Sequence, residues 1–568
     1  MRHLINMYTA ASNYNRSIPL GGLLTTNTIN SSNQTLRGQL NYNRTFKEKT
    51  ELSMIAGADL NQNYSLVNND GYYGYDENTL KSNNILDYAD YKPLLFTNFD
   101  SFNTEKITYP GSTAFSDYKT RSLSWYSNAA VTYDRRYTLS GSIRADRSSE
   151  FGQESNKGGV PYFSFGTLWN INNEKFYNLN WLPSLKLRAT FGYNGNVNSR
   201  VLSRPLISYG TTPQSTNGLP NGTLVQNLTN KELRPEKTGV WNLGLDFGFR
   251  GNRISGTLEY YDKKTTDLLA TGSLDHTLGV ASGEYNVGDM HGYGIDFTLN
   301  TLNMKSGKFR WNTTLITSYN RVRLTKLYGY SNRNAGTSVS GGALYDVGYD
   351  LNSIFGYRWG GLDPLTGDPR GIVDGKPFTV KNSADASVIY GRPNTEARYF
   401  GSAVPVTYGS LNNNFSYGGF TISVMINYKL GYYSRRPSSE IVRYNQLFPN
   451  NQYDAATLQG AEYQNRWQKS GDEQFTNVPS LTFPTDAGRD LFYRYSEINV
   501  IKADHIRLQQ INAGYTFNKR GWFLKNPRIY GNLRNLGILW KANKLGIDPD
   551  TNDYPLTKTY ALGFSANF

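Results

Sequence analysis

The last ten residues, TYALGFSANF, set a pattern that recurs along the chain. Tyr560, Leu562, Phe564, Ala566 and Phe568 are apolar, and Thr559, Gly563, Ser565 and Asn567 fall between them, with Ala561 the exception. A strand turns successive side chains to opposite faces, so a period of two predicts one apolar and one polar face. The same alternation predicts strands through Tyr137, Leu139, Gly141, Ile143 and Ala145, and through Leu185, Leu187, Ala189, Phe191 and Tyr193. It returns at Trp241, Leu243, Leu245, Phe247 and Phe249, at Tyr293, Ile295, Phe297 and Leu299, and from Phe420 to Leu430. About 15 such stretches of roughly ten or more residues are present, the length at which a tilted strand crosses a bilayer.

Lys186, Arg188, Asp246, Asp296 and Lys429 fall at mid-strand positions, where a charge must face water or a partner. A sandwich core offers neither, and a water-filled lumen offers both. The connections divide into two classes. DRR at 134–136, RGN at 250–252, MKSGK at 304–308 and YGG at 417–419 read as tight turns. They alternate with long polar segments near 62–118, 195–237, 323–403 and 434–495. Short turns on one side and long loops on the other describe an antiparallel transmembrane β-barrel of the outer-membrane kind. Long loops of this size are expected to carry function.

Parity sharpens this reading. The terminal strand should end on the periplasmic side, where the short turns lie. The first clear strand, Thr35 to Phe46, meets the turn KEKT and so runs toward that side. A complete bacterial barrel begins in the periplasm with an even strand number. The chain therefore reads as the C-terminal part of a larger barrel, unless a strand lies hidden before Thr35. No signal peptide is legible in MRHLINMYTA, which fits the same expectation.

Composition supports the barrel. The 568 residues are only 38% hydrophobic but hold 44 Tyr, 27 Phe and 9 Trp. No apolar run of about 18 residues occurs, which excludes transmembrane helices. Cysteine is absent, so disulfides and thiol chemistry are excluded. The net charge of +14 is scattered rather than gathered in a stripe, which argues against nucleic acid and for anionic outer-membrane lipid or a polar lumen.

Catalytic and metal patterns are missing from the sequence. His3, His276, His291 and His505 are scattered, and no HExxH, GxSxG, P-loop or dinucleotide motif is found. No enzyme activity, cofactor or metal site is expected. Asp548, Asp550, Asn552 and Asp553 in DPDTND resemble an oxygen-rich calcium loop, yet lack the glycine and closing glutamate of an EF-hand. They read as a polar extracellular turn. Asp363 and Asp368 in LDPLTGDP read as turn residues. Aromatic residues of the long loops, Tyr72, Tyr73, Tyr75, Tyr328, Tyr330, Tyr357, Trp359 and Tyr390, could stack on a substrate or partner, or pack on one another.

An ordered set of segments carries a family resemblance. YNRSIPLGG and TLRGQLNYN are followed by YTLSGSIRADRSSEFG, LPSLKLRATFGYNGN, LRPEKTGVWNLGLDFGF and EYNVGDMHGYGIDFTL. IFGYRWGGLDPLTGDP, ADHIRLQQINAGYTF and the terminal DPDTNDYPLTKTYALGFSANF complete it. The chain resembles the C-terminal barrel region of SusC/RagA-type TonB-dependent transporters of Bacteroidetes over nearly its whole length. The resemblance implies the last 15 or so strands of a barrel of about 22, without the plug domain. Residues 1–568 would all belong to that barrel region. It implies import of glycans across the outer membrane with a SusD-like surface lipoprotein, energised by TonB–ExbB–ExbD through the plug. A RagA-like peptide importer, a passive porin-like barrel and an inactive truncated remnant are the alternatives. Tyr328, Tyr330, Tyr357, Trp359 and Tyr390 become candidates for substrate contact. Tyr560, Leu562, Phe564 and Phe568 resemble the terminal signal read by the outer-membrane assembly machinery.

Overall fold

A computed structural model describes residues 22–82, 91–93, 104–106, 115–151, 156, 160–196, 206–209, 223–227, 230, 232–273, 282–328, 334–340, 346–447, 460–517, 524–551 and 555–567. Fifteen strands form one antiparallel sheet in which each pairs with the next along the chain. They are β1 (Gly22–Phe46), β2 (Thr50–Tyr75), β3 (Phe115–Tyr133), β4 (Tyr137–Ser148), β5 (Val160–Asn170), β6 (Ser184–Asn196), β7 (Glu236–Gly248) and β8 (Ile254–Ser273). β9 (Ser282–Ser306), β10 (Phe309–Leu327), β11 (Thr407–Tyr417), β12 (Phe420–Leu430), β13 (His505–Thr516), β14 (Lys525–Lys541) and β15 (Thr559–Asn567) follow. Among the described residues β1 and β15 are the two edges.

Register shows why the alternation reads as it does. Phe165 pairs with Phe191, Phe191 with Trp241 and Trp169 with Leu187, so one face is a continuous apolar surface. Phe191 and Trp241 pack at a tilt with ring centroids 4.3 Å apart. Ile143, Phe163, Trp241, Leu243 and Phe564 stay exposed on this face. Covering one such side chain is worth about 1.5–3 kcal/mol, so a face of them requires lipid rather than water. The opposite face carries Ser142, Ser164, Arg188, Asp246, Asn412 and Asn512, as a wet lumen requires.

Tight connections fall where expected. Lys47 and Glu48 (φ 47° and 58°) and Asp134 and Arg135 (φ 52° and 55°) are left-handed pairs, the backbone of a hairpin turn matched to strand twist. The upper boundaries differ from expectation. β1 begins at Gly22 rather than Thr35, and β2 continues to Tyr75, so the segment expected as a loop from 62 is strand for its first quarter. The ladder runs unbroken from Thr25↔Gly71 to Thr35↔Asn61. Above the membrane both faces meet water, so TTNTINSSNQT needs no apolar alternation and hides its strand. Tyr72, Tyr73 and Tyr75 accordingly lie in β2 rather than in a loop.

The two largest loops, between β10 and β11 and between β12 and β13, fold together into an extracellular body. Among the described residues four short helices belong to it: α1 (Ala335–Ser340), α2 (Ser383–Tyr390), α3 (Tyr444–Leu447) and α4 (Ala487–Arg494). A three-stranded sheet joins Trp359–Leu362, Pro369–Val373 and Lys376–Thr379. Its core gathers Val339, Phe355, Tyr357, Val380, Ile389 and Phe492 from both loops. A second cluster holds Ile441, Val442, Tyr444, Val478 and Tyr493.

Candidate functional site

The inner face of the wall is the first element of the site. Arg188 on β6 donates through Nε to Asp246 Oδ2 at 3.0 Å and through Nη2 to Glu259 Oε1 at 2.7 Å, tying β6, β7 and β8 together. Asn242 adds a bond to Glu259. A cavity of about 530 Å³ opens over this group, lined also by Tyr261, Lys263 and Asp296. Further round the wall, Asn312, Asn414, Ser423, Gln510, Asn512 and Asn532 line a second recess of about 640 Å³ with Arg310, Arg528 and Tyr530. The first patch offers charges of both signs, and the second offers mostly amide and hydroxyl groups. The mid-strand charges read from sequence thus lie on the lumen face. Glu259 and Lys263 escaped that reading because the run EYYDKK in β8 breaks the alternation.

Buried and half-buried carboxylates fasten the loops to the wall. Asp350, in the loop after β10, accepts from Arg321 Nε at 2.7 Å and from the Tyr399 hydroxyl. Burial opposes ionisation of Asp350, yet these bonds outweigh it and hold the carboxyl below its usual range. Asp550, in the loop before β15, takes Lys429 Nζ at 2.6 Å, Arg507 Nε at 3.0 Å and His505 Nε2 at 3.2 Å. Burial again works against the charge, and His505 and Lys429 more than offset it, holding the carboxyl far down. Asp548 pairs with Arg507 Nη2. Asp548 and Asp550 are therefore committed to cations of β12 and β13, and Asn552 and Asp553 lie outside the described residues.

Within the body, Asp363 accepts from the backbone of Leu365 and Thr366, as a turn residue should. Asp368 does more than turn the chain. It accepts from Arg489 Nε at 2.8 Å, 121 positions away, with both side chains buried. Arg489 also donates Nη2 to the Ser480 carbonyl at 2.8 Å. This pair locks one loop onto the other. Its neighbour Asp490 accepts from the backbone amide of Asn445 in α3 at 2.6 Å. Burial pushes the Asp490 carboxyl up to about 6. A carboxylate whose pKa is raised on folding binds its proton more tightly in the folded state, so between roughly pH 4 and 6 stability falls as pH rises. The extracellular body should therefore resist proteolysis better at pH 5 than at pH 7.5, and Asp490→Asn should remove most of that difference. Limited proteolysis at the two pH values checks this.

The aromatic candidates separate clearly. Tyr357 is only 1% exposed, and it stacks on Tyr390 at 4.9 Å and on Phe492 at 5.6 Å. Tyr390 donates its hydroxyl to the Gly488 carbonyl at 3.0 Å. Trp359 packs against both clusters and donates Nε1 to Asn477. Tyr357 belongs to the core of the body, and Tyr390 and Trp359, both half-buried, pack against it, because the two loops need an apolar interior of their own. Tyr328, at the top of β10, is 54% exposed. Tyr330 and Phe568 lie outside the described residues. Tyr560, Leu562 and Phe564 share the lipid face of β15, paired with Leu533, Gly531 and Ile529 of β14.

Comparison with known proteins decides the family. Residues 5–436 match the family described as TonB dependent receptor-like, beta-barrel. The chain belongs to that family. TonB-dependent receptor barrels of this kind reside in the outer membrane, which accounts for the apolar outer face. The chain is 27% identical over 493 residues to the TonB-dependent receptor SusC of Bacteroides thetaiotaomicron, covering 79% of this chain and 44% of that protein. It is 25% identical over 524 residues to the TonB-dependent receptor P39 of Formosa agariphila, covering 84% and 46%. The solved structure of the RagAB peptide transporter superposes with a TM-score of 0.72 at 21% identity, covering 96% of this chain and 56% of that one. The chain thus spans about half the length of the receptors it matches and is of the SusC/RagA type.

Proposed function

We propose that this TonB-dependent receptor chain supplies the wall, lumen lining and extracellular body of an importer that takes up oligosaccharides. It works with a SusD-like surface lipoprotein and draws energy from TonB–ExbB–ExbD through a plug segment. The observation that carries the reading is the second lumen recess. Its lining, mostly amides and hydroxyls with the added donors of Arg310 and Arg528, suits a substrate rich in hydroxyl groups, since such groups both donate and accept. Similarity to SusC over most of the chain supports the same type of machine. A peptide substrate is the second reading, favoured by the paired charges around Arg188, which could meet peptide termini, and by the fold shared with the RagAB peptide transporter.

Growth of a deletion strain on a panel of glycans and of peptides tests the proposal. Loss of growth on one glycan class, with growth on peptides intact, is expected. Loss on peptides alone transfers the assignment to the second reading. A phenotype that persists when TonB is present but vanishes without TonB separates energised import from a passive pore, whose uptake would ignore TonB.

A further inference from the structure

The outward face of β1 to β3 changes character within one step of register. Leu36, Leu60 and Leu123 face one another across the three strands, with Trp125 just below them. One step higher, Gln34, Gln62 and Arg121 are aligned in the same way. A groove of about 360 Å³ opens at this boundary, lined by Leu36, Leu60, Gln34, Gln62 and Arg121. Arg121 donates Nε to Gln62 Oε1 at 2.9 Å, which holds the guanidinium over the groove. Arg147 pairs with Leu123 across β3 and β4 and lies 5.4 Å from the centre of the Trp125 ring. Lys119 stands two positions above Arg121 on the same face. Among the described residues no carboxylate pairs with Arg121 or Lys119. Asp117 lies beyond Lys119, further from the apolar band, and Glu150 takes the Tyr118 hydroxyl at 2.6 Å.

Charge and shape together name the occupant. An apolar groove roofed by cations fits a molecule with hydrocarbon at one end and negative charge at the other. A guanidinium matches phosphate oxygens in a bidentate way, and at the edge of a low-dielectric layer such pairs are screened less than in water. Cations on the lumen face could not play this part, since hydrocarbon never reaches them. We propose that this groove is a binding site for a lipid with a phosphorylated headgroup in the outer leaflet. Its acyl chain lies on Leu36 and Leu60, and its phosphate meets Arg121 and Lys119. The inference rests on the outer-membrane location alone and is independent of what the receptor imports.

Native mass spectrometry of the protein purified from outer membranes in detergent tests it. The probes are a diphosphorylated disaccharide lipid and its dephosphorylated counterpart. The wild type should retain the phosphorylated probe and release the other. Removing one cation at a membrane surface weakens binding about five-fold, so K119Q/R121Q should lose roughly 25-fold. The charge-matched K376Q/K381Q, on the extracellular body, should bind as the wild type does. Heat-modifiable migration in gels confirms that each variant is folded, and R121K, which keeps the charge, should retain most binding even if the double variant folds poorly. Equal retention by K119Q/R121Q and K376Q/K381Q, or equal retention of the dephosphorylated lipid, would overturn the proposal.

Discussion

Replacing Arg489 by methionine should unfold the extracellular body and leave the barrel wall intact. The substitution strands Asp368 as a buried charge, because Arg489 is its ion-pair partner and both side chains are almost wholly enclosed. Removing one member of a buried pair costs about 3–5 kcal/mol, most of it the penalty for the charge left behind. The Ser480 carbonyl loses its donor at the same time. Among the described residues the body has short helices, small sheets and two small apolar clusters to resist such a loss. R489M should therefore be cut rapidly by protease added to whole cells, while the wall keeps its heat-modifiable migration. Pairing R489M with D368L should restore much of the resistance, since an apolar pair of similar volume carries no desolvation cost. A double variant as labile as R489M would mean that the lost hydrogen bond to Ser480, not the stranded charge, governs the body.

A charge placed on the wall should act according to face. Leu243 lies mid-strand on the lipid face of β7, paired with Ala189 and Tyr260. Arginine there should cost about 2–4 kcal/mol, the penalty for a cation near the bilayer midplane. Asn412 lies on the lumen face of β11, paired with Thr314 and Met425. Arginine there stays in water and should cost little. Folding into lipid vesicles, titrated with urea, measures both. L243R should shift the midpoint sharply downward and N412R should hardly move it.

The wall was legible because a single rule governs it. Inside the bilayer every second side chain meets lipid, so Trp241, Leu243 and Leu245 announce both the strand and its face. Where that rule lapses, the sequence falls silent. Thr25 to Thr35 form strand through backbone ladders alone, with no apolar alternation to betray them. The extracellular body was opaque for a different reason. Arg489 and Asp368 meet across 121 positions, and Asp350 with Arg321 across 29, with no local pattern to mark either pair. The loop aromatics were visible, but their environment was not. Nothing in the residues around Tyr357 distinguishes a ring offered to a ligand from one enclosed by Tyr390 and Phe492. The turn reading of Asp363 succeeded because its partners, Leu365 and Thr366, are local.

One face of each wall strand meets lipid and the other meets water. The chain has no cysteine, so single cysteines can be placed along β12 from Thr421 to Tyr428 and spin-labelled in bilayers. Labels at positions 422, 424, 426 and 428 should be reached by dissolved oxygen and hidden from a water-soluble nickel chelate. Labels at 421, 423, 425 and 427 should show the reverse. A smooth profile, or one that repeats every three to four residues, would contradict the barrel.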